Sequence, residues 1–572
     1  MLLPYAEQLE RKREVLVRAL GAYPLILAAP IGATAPAEPT RDFRLRAKLV
    51  AAGGALGLFA RGTHDVIDIP ECQVLRPRLH AVAQSLRRDL ARMPGVSSFD
   101  LREADAGVLV TAAVTGRLAD GERRALAEHI AALDANVVSV AVSTREPDAP
   151  QLLGAEAETL VGPAELEHRP DPSAPWHYAA HGAFSQAHPG QLARLHAALE
   201  TELAQGGARP LAGLRVLELY AGSGLLSLRL AARGARPLLV ESFAPAARMA
   251  ERAAHAQGLS IRVLAADAGA ALAKLVRAGE RFEAVLVNPP RRGLAPDVRE
   301  AIARLRPALL LYVSCEPATL ARDASHLALL GLGLERATPY DMIPLSDAVE
   351  ALARFVPATP PPPRVLFEDE RFLFVEKAPH EAVLPGPGSA SSLLARVRRL
   401  PGAAEAVTRD ALEPGSSGLV AFARRPDTLD ELLRALERGA LEWLVLSRGV
   451  LRARGNLASK AGSGSPARYE RREVSSGHSL IAVRTTPTSA LDVTRALARL
   501  RHPVPGDERH GDRRANLHFS HRHQLERPFV HRRALELELP GVPPRIECEL
   551  APDLARVLES LRARDPRQLP KR

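Results

Sequence analysis

The chain has 572 residues, 46% of them hydrophobic, with a formal net charge of +10 and a pI near 9.9. That length exceeds a single hydrophobic core and predicts two or three domains. No apolar run reaches the ~18 residues of a membrane-spanning helix, and the opening MLLPYAEQLERKREVLVRAL carries acids and bases where a signal peptide needs an apolar stretch, so a cytoplasmic location without membrane contact is expected.

In chain order, QLERKREVLVRAL (residues 8–20) has helical periodicity, and a mixed region to about residue 170 follows with alternating strand patterns such as GLFARGTHDVIDI. HRPDPSAPWHYAAHG (168–182) is rich in His, Pro and Gly and is expected to be a linker or loop. From Leu214 the order is strand LRVLELY, turn AGSG, helix, strand RPLLVES, helix, strand IRVLAAD, which is a βαβαβ half of a doubly wound sheet. Gly222 and Gly224 are expected to let the backbone approach a nucleotide cofactor. Glu241 ends the second strand, where it can accept from ribose hydroxyls, and Asp267 ends the third. The turn lacks the third glycine of the dinucleotide fingerprint, so S-adenosylmethionine fits better than NAD.

A fourth strand, FEAVLV, ends in Asn288-Pro289-Pro290-Arg291-Arg292-Gly293. Asn-Pro-Pro at a strand end suits amide hydrogen bonds to a planar base. Amino-directed methyltransferases usually continue with a stacking aromatic, and here an arginine follows. The run LLLYV (309–313) reads as a buried strand and delivers Cys315, in SCEPATLARD, just past its carboxyl end. VPATPPPP (356–363) excludes helix and is expected to be an extended spacer, after which RVLFEDERFLFVEKAP begins a new strand pattern. The other cysteines, Cys72 and Cys548, are too distant to suggest a disulfide framework or a zinc site. His510, His518, His521, His523 and His531 match no helical metal-ligand spacing, so no metal is expected. The basic balance suits a polyanionic partner, and a GC-rich coding bias accounts for the arginines equally well.

These motifs are dispersed and in order: PYAEQLERKREVL, FRLRAK, DVIDIPEC, AFSQAHP, LELYAGSG, NPPRRG, SCEPATLARD and DMIPLSDAVEAL. Over residues 1 to about 357 they resemble the RNA 5-methyluridine methyltransferase family. The resemblance implies a Rossmann-like SAM methyltransferase of α/β class, preceded by an N-terminal α+β RNA-binding region. Uracil C5 is a poor nucleophile, so in this chemistry a thiolate adds to C6 first and a base later removes the C5 proton. By motif, Cys315 is the nucleophile and Glu350 the base, while Gln186, Tyr220, Glu241 and Asn288 contact S-adenosylmethionine or the target base. The chain departs from the family pattern at Asn288 (usually Asp), at Leu225 (usually Asn), and at Glu316 or His188 (usually Asn). It lacks the family's accessory N-terminal barrel and its cysteine cluster, so no iron–sulfur cluster is expected.

Residues 364 to about 550 resemble the pseudouridine synthases of large-subunit ribosomal and transfer RNA, through RVLFEDERFLFVEKAP, LEPGSSGLVAFAR, RHPVPGDERHG and NLHFSHRHQLERP. This implies a second α+β domain. Its active site departs from the family's: the gapless match puts Glu413 where the catalytic Asp belongs, Trp443 at the stacking Tyr, and Ser489 at an expected Arg. The expected organisation is 1–170 N-terminal region, 171–357 methyltransferase domain, 358–363 proline linker and 364–572 pseudouridine-synthase-like domain. The expected activity is formation of 5-methyluridine in structured rRNA or tRNA by a monomer, with the second domain inactive and RNA-binding. Two other readings stand beside it, a bifunctional enzyme and a non-catalytic ribosome-assembly factor.

Overall fold

The computed structural model describes residues 3–26, 28–60, 63–146, 152–154, 156–183, 186–205, 210–386, 391–457, 467–486 and 490–563. Three large sheets organise the chain. The central one has seven strands in the spatial order Arg262–Ala265, Arg236–Glu241, Arg215–Leu219, Ala284–Val287, Leu309–Ser314, Glu350–Pro357 and Leu332–Tyr340. The first five run parallel; Glu350–Pro357 is antiparallel to both of its neighbours. Parallel strands need apolar residues on both faces because helices cover both, and Leu309–Ser314 is buried at every position. The chain order reverses on either side of Arg215–Leu219, which opens a crevice at the carboxyl ends of that strand and of Ala284–Val287.

The N-terminal sheet has seven strands, with Arg46–Ala52, Val96–Ala104, Gly107–Thr115 and Val137–Arg145 adjacent at its centre. The helix Tyr5–Gly21 does not pack on it. Leu16, Leu20, Tyr23 and Ile26 join the core of the central sheet, and Lys12 forms a buried ion pair with Asp341. Sequence grouping sets this helix with the N-terminal region, yet its apolar stripe is buried against the half built on the central sheet. The segment 168–182, expected as a linker, contributes to a two-stranded hairpin. Glu165–His168 pairs with His177–Ala180, and both His168 and His177 are buried. Its histidines fill space between the first two sheets, which composition alone does not reveal.

The C-terminal sheet has nine strands, among them Phe372–Lys377, Ser417–Ala423, Val530–Glu536, Ala440–Arg448 and His478–Thr485, which are adjacent in that order. Residues 358–364 carry no helix or strand, and Arg396 Nε donates to the Pro361 carbonyl at 2.8 Å. Of the histidine run, His531 is buried, with Nδ1 3.0 Å from Ser417 Oγ and Nε2 3.4 Å from Cys548 Sγ. His523 Nδ1 lies 2.9 Å from Ser560 Oγ. No helix among the described residues is long and apolar enough to cross a membrane.

Candidate active site

Cys315 follows the strand Leu309–Ser314, and Glu350 opens the strand Glu350–Pro357. In the antiparallel ladder Ser314 is paired with Ala351. Cys315 and Glu350 are each one residue beyond that pair, so the sheet register brings them side by side where the two strands end. Cys315 is exposed, whereas Glu350 retains only 6% of its accessible surface. Burial pushes the Glu350 carboxyl up to about 7, opposed by Arg291. Burial and then the Glu350 charge push the Cys315 thiol up to about 11, again opposed by Arg291. Two groups that are anionic when deprotonated, sharing one guanidinium, favour a single negative charge between them.

The loop preceding Glu350 is tied down from a distance. Asp341 accepts from Tyr5 Oη at 2.7 Å and is ion-paired with Lys12, which also donates to the Ile343 carbonyl at 2.9 Å. Gln191 Nε2 donates to the Asp341 carbonyl at 3.0 Å. This explains structurally why the leading helix and the DMIPLSDAVE segment occur together. On the other side, the Asn288–Gly293 loop is held by the helix after Cys315. Thr319 Oγ1 donates to the Arg291 carbonyl at 3.0 Å, Arg322 Nη2 to the Arg292 carbonyl at 2.7 Å, and Asp323 Oδ2 accepts from Leu294 N at 2.7 Å.

The glycine-rich turn separates two functions that sequence had merged. Gly222 has φ +57°, a conformation that favours glycine, and a Cβ there would meet nothing within 4 Å. It borders open space suited to a ligand. Gly224 has φ +74°, and its Cβ would lie 2.7 Å from both Ala250 Cβ and Leu239 Cδ1. Its role is close packing, and it is not among the residues lining the crevice. Glu241 receives the Gly222 amide at 2.9 Å on Oε2 and the Phe243 amide at 2.7 Å on Oε1, so it braces the turn. Asp267 caps the helix Ala268–Arg277 by accepting from Gly269 N and Ala270 N. Neither carboxylate lines the crevice. Tyr220, at φ +60°, is in the left-handed region that bulky side chains rarely adopt.

The pocket of the crevice lies between the central sheet, the N-terminal sheet and the 165–180 hairpin. Gln186, Tyr220, Gly222, Leu225 and Asn288 line it, as does Ser223 Oγ, 2.7 Å from His177 Nδ1. Burial holds His177 down at about 3, hence neutral, and pushes Glu218 up to about 7. Across from the glycine turn stands Arg102, 4% exposed, whose Nη2 has no hydrogen-bond partner among the described residues. Sequence reading missed Arg102, Glu218 and His177. Each lies in a strand whose pattern does not distinguish a lining residue from a surface one. Leu225, where the family pattern has Asn, lies among the lining residues, and His188 stacks on Phe43 with ring centres 4.5 Å apart.

In the second half, Glu413 is exposed and 3.9 Å from the exposed Arg509. The carboxylate found inside is Asp410, gripped by Arg532 through two hydrogen bonds of 2.7 Å and by the Ala421 amide at 2.9 Å. Trp443 is 1% exposed, 5.7 Å from the Arg532 guanidinium, with Nε1 donating to Thr485 Oγ1 at 3.3 Å. Ser489 lies outside the described residues.

A family profile described as "Conserved hypothetical protein 95" matches residues 199–329. The 23S rRNA (uracil(1939)-C(5))-methyltransferase RlmD of Pseudomonas aeruginosa is 33% identical over 371 residues, covering 62% of this chain and 76% of that one. Among solved structures, the Pyrococcus abyssi tRNA (uracil-54, C5)-methyltransferase in complex with S-adenosyl-L-homocysteine is 23% identical with a TM-score of 0.49, covering 62% of this chain and 84% of that one. Human RNA Pseudouridylate Synthase Domain Containing 4 is 14% identical with a TM-score of 0.28, covering 35% of this chain and 93% of that one. With a central sheet of methyltransferase type and a relative matched at this identity and coverage, the chain belongs to the SAM-dependent RNA uracil-C5 methyltransferase family.

Proposed function

We propose that this protein forms 5-methyluridine in a structured RNA, with ribosomal RNA as the substrate class, through a covalent Cys315 adduct. The observation that carries the reading is the register that delivers Cys315 and Glu350 side by side. The thiolate of Cys315 adds to uracil C6, which makes C5 an enolate carbon able to take a methyl group. S-adenosylmethionine supplies that methyl as an electrophile. Glu350 then removes the C5 proton, the C6–sulfur bond breaks and the thiolate leaves. A carboxyl brought to about 7 by burial is suited to this, because a base works best with a pKa near the working pH. Arg291 lowers both the thiol and the carboxyl and so favours their anionic forms.

Asn288 stands at the strand end beside the pocket, where its carboxamide can accept from uracil N3–H and donate to O4. Gly222 with its open flank and the unpartnered Arg102 fit an S-adenosylmethionine site, with Gln186 and Tyr220 on the same wall. The target base must leave its stack to reach a cysteine at a strand end.

The C-terminal half is read as a pseudouridine-synthase-like RNA-binding unit without its own catalysis. Supporting this, Asp410 is fully engaged by Arg532 and a backbone amide, Glu413 points to solvent, and Trp443 is committed to the core.

Incubation of the full chain with S-adenosylmethionine and unmodified 23S rRNA or tRNA transcripts, followed by nucleoside mass analysis, tests the reading. The expected product is 5-methyluridine in the ribosomal RNA, absent with Cys315→Ala. Methylation of tRNA alone would overturn the substrate class, and an active Cys315→Ala enzyme would overturn the mechanism.

A further inference from the structure

Arg102 lies in the strand Val96–Ala104, outside the central sheet, and is 4% exposed. A guanidinium buried this far is normally matched by a carboxylate, because leaving the charge unpaired costs several kcal/mol. Here no ion pair reaches it among the described residues, and Nη2 has no hydrogen-bond acceptor. Asp100, two residues earlier, is taken on both oxygens by Arg46, at 2.9 and 2.6 Å. The neighbouring histidines His168 and His177 are held neutral by burial and offer no negative charge. Glu103, which lines the same pocket, is paired with Arg76 at 3.5 Å and its carboxyl is pushed up by burial. No carboxylate among the described residues is bonded to Arg102, which leaves its guanidinium for an anion from outside the chain.

The same pocket is bordered by Gly222, Ser223 and Gln186, so the anion belongs to whatever occupies the glycine turn. Glu241, expected at the ribose, accepts from the Gly222 amide of that turn and is not among the residues lining the pocket. A cofactor held at the turn can extend its amino-acid end into the pocket that Arg102 also lines.

We propose that Arg102 receives the α-carboxylate of the methionyl end of S-adenosylmethionine, making the N-terminal sheet one wall of the cofactor site. The proposal rests on the reading of this pocket as the cofactor site. It gives the N-terminal sheet a second task besides RNA contact: cofactor affinity depends on how that sheet is seated on the central one. It also supplies a polar anchor in a pocket where Leu225 offers none.

Equilibrium binding to the full chain tests this without any turnover. The probes are S-adenosylmethionine, decarboxylated S-adenosylmethionine, which lacks only the carboxylate, and 5′-methylthioadenosine, which lacks the amino-acid end. A charge-assisted hydrogen bond predicts that wild type favours S-adenosylmethionine over its decarboxylated form by roughly 10- to 100-fold. Arg102→Met should abolish that preference while leaving 5′-methylthioadenosine affinity and RNA affinity unchanged. The variant should fold, since an unpaired buried charge is replaced by an apolar chain of similar length. Wild type that binds 5′-methylthioadenosine yet fails to discriminate between the first two probes overturns the proposal alone. A wild type that binds none of the three overturns the cofactor reading, and the proposal with it. An Arg102→Met chain that loses RNA affinity and keeps the preference would show that the guanidinium serves an RNA phosphate instead.

Discussion

Arg299 and Glu526 join the two halves of the molecule, Nη2 to Oε2 at 3.0 Å, although they are 227 positions apart and Arg299 is wholly buried. Glu526 also meets Arg322 at 2.9 Å, and both arginines hold Asp323. Asp323 in turn accepts the Leu294 amide and the Tyr312 hydroxyl. A carboxylate from the C-terminal half thus completes the charge balance beneath the Asn288–Gly293 loop.

Removing Glu526 leaves two buried guanidiniums sharing Asp323. Glu526→Ala in the full chain should cost about 3 kcal/mol, as breaking a buried ion pair does, measured by denaturant unfolding. Methylation should fall with it, and an unchanged unfolding midpoint would show that the halves are held by other contacts.

The Glu350 carboxyl, at about 7, predicts a pH profile. Its basic form exists above that value, while the Cys315 thiol, pushed up to about 11, is still ionising, so kcat/KM should rise with pH throughout this range and break to a shallower slope near pH 7. Glu350→Gln should lose that inflection and accumulate an RNA adduct on Cys315 that survives denaturing electrophoresis, because methylation can occur but elimination cannot. Cys315→Ala should give no adduct.

The same group carries a stability signature. Its folded value of about 7 lies above the ordinary 4.5, so the native state binds the proton more tightly than the unfolded chain does. Stability from this site is full below pH 4.5 and is lost as pH rises through 7. At pH 8, Glu350→Gln should therefore be more stable than wild type, by roughly 2–3 kcal/mol, while near pH 4 the two should unfold alike.

Replacing Glu350 also removes a charge that raises the Cys315 thiol. Alkylation of Cys315 by iodoacetamide at pH 8 to 9 should be faster in Glu350→Gln than in wild type. A slower reaction would mean that the carboxylate activates the resting thiol rather than opposing its ionisation.

The two turn glycines should respond differently. Gly224→Ala introduces contacts of 2.7 Å with Ala250 and Leu239 and should destabilise the fold by about 2–3 kcal/mol. Gly222→Ala meets no atom, so beyond about 1 kcal/mol of backbone strain its effect should fall on S-adenosylmethionine affinity. Calorimetric unfolding and cofactor titration separate the two.

The strands and helices from Arg215 to Ser314 were legible because each is short, strongly patterned and bounded by turn residues, as Arg236–Glu241 and Leu309–Ser314 illustrate. Cys315 was legible from its motif. Glu350 was legible only through its motif, since pairing with the strand before Cys315 is what sets its conformation at the start of a strand. Arg102 was not legible, because the residues that bury it come from a hairpin composed like a loop. The packing of Gly224 and the capping by Asp267 were not legible for a related reason. Sequence places a residue at the tip of a strand, but only packing shows whether that tip faces a helix or a cavity.

Cys315 and Glu350 leave the ends of two hydrogen-bonded strands, so their spacing is inherited from the peptide ladder and not from any loop. In the proposed mechanism, nucleophile and base are thereby calibrated to each other before RNA arrives. The Asn288–Gly293 loop is held differently, by side chains of the neighbouring helix. Under the proposed roles, substrate choice and bond-making chemistry rest on separate mechanical supports, side-chain ties for the one and a ladder for the other.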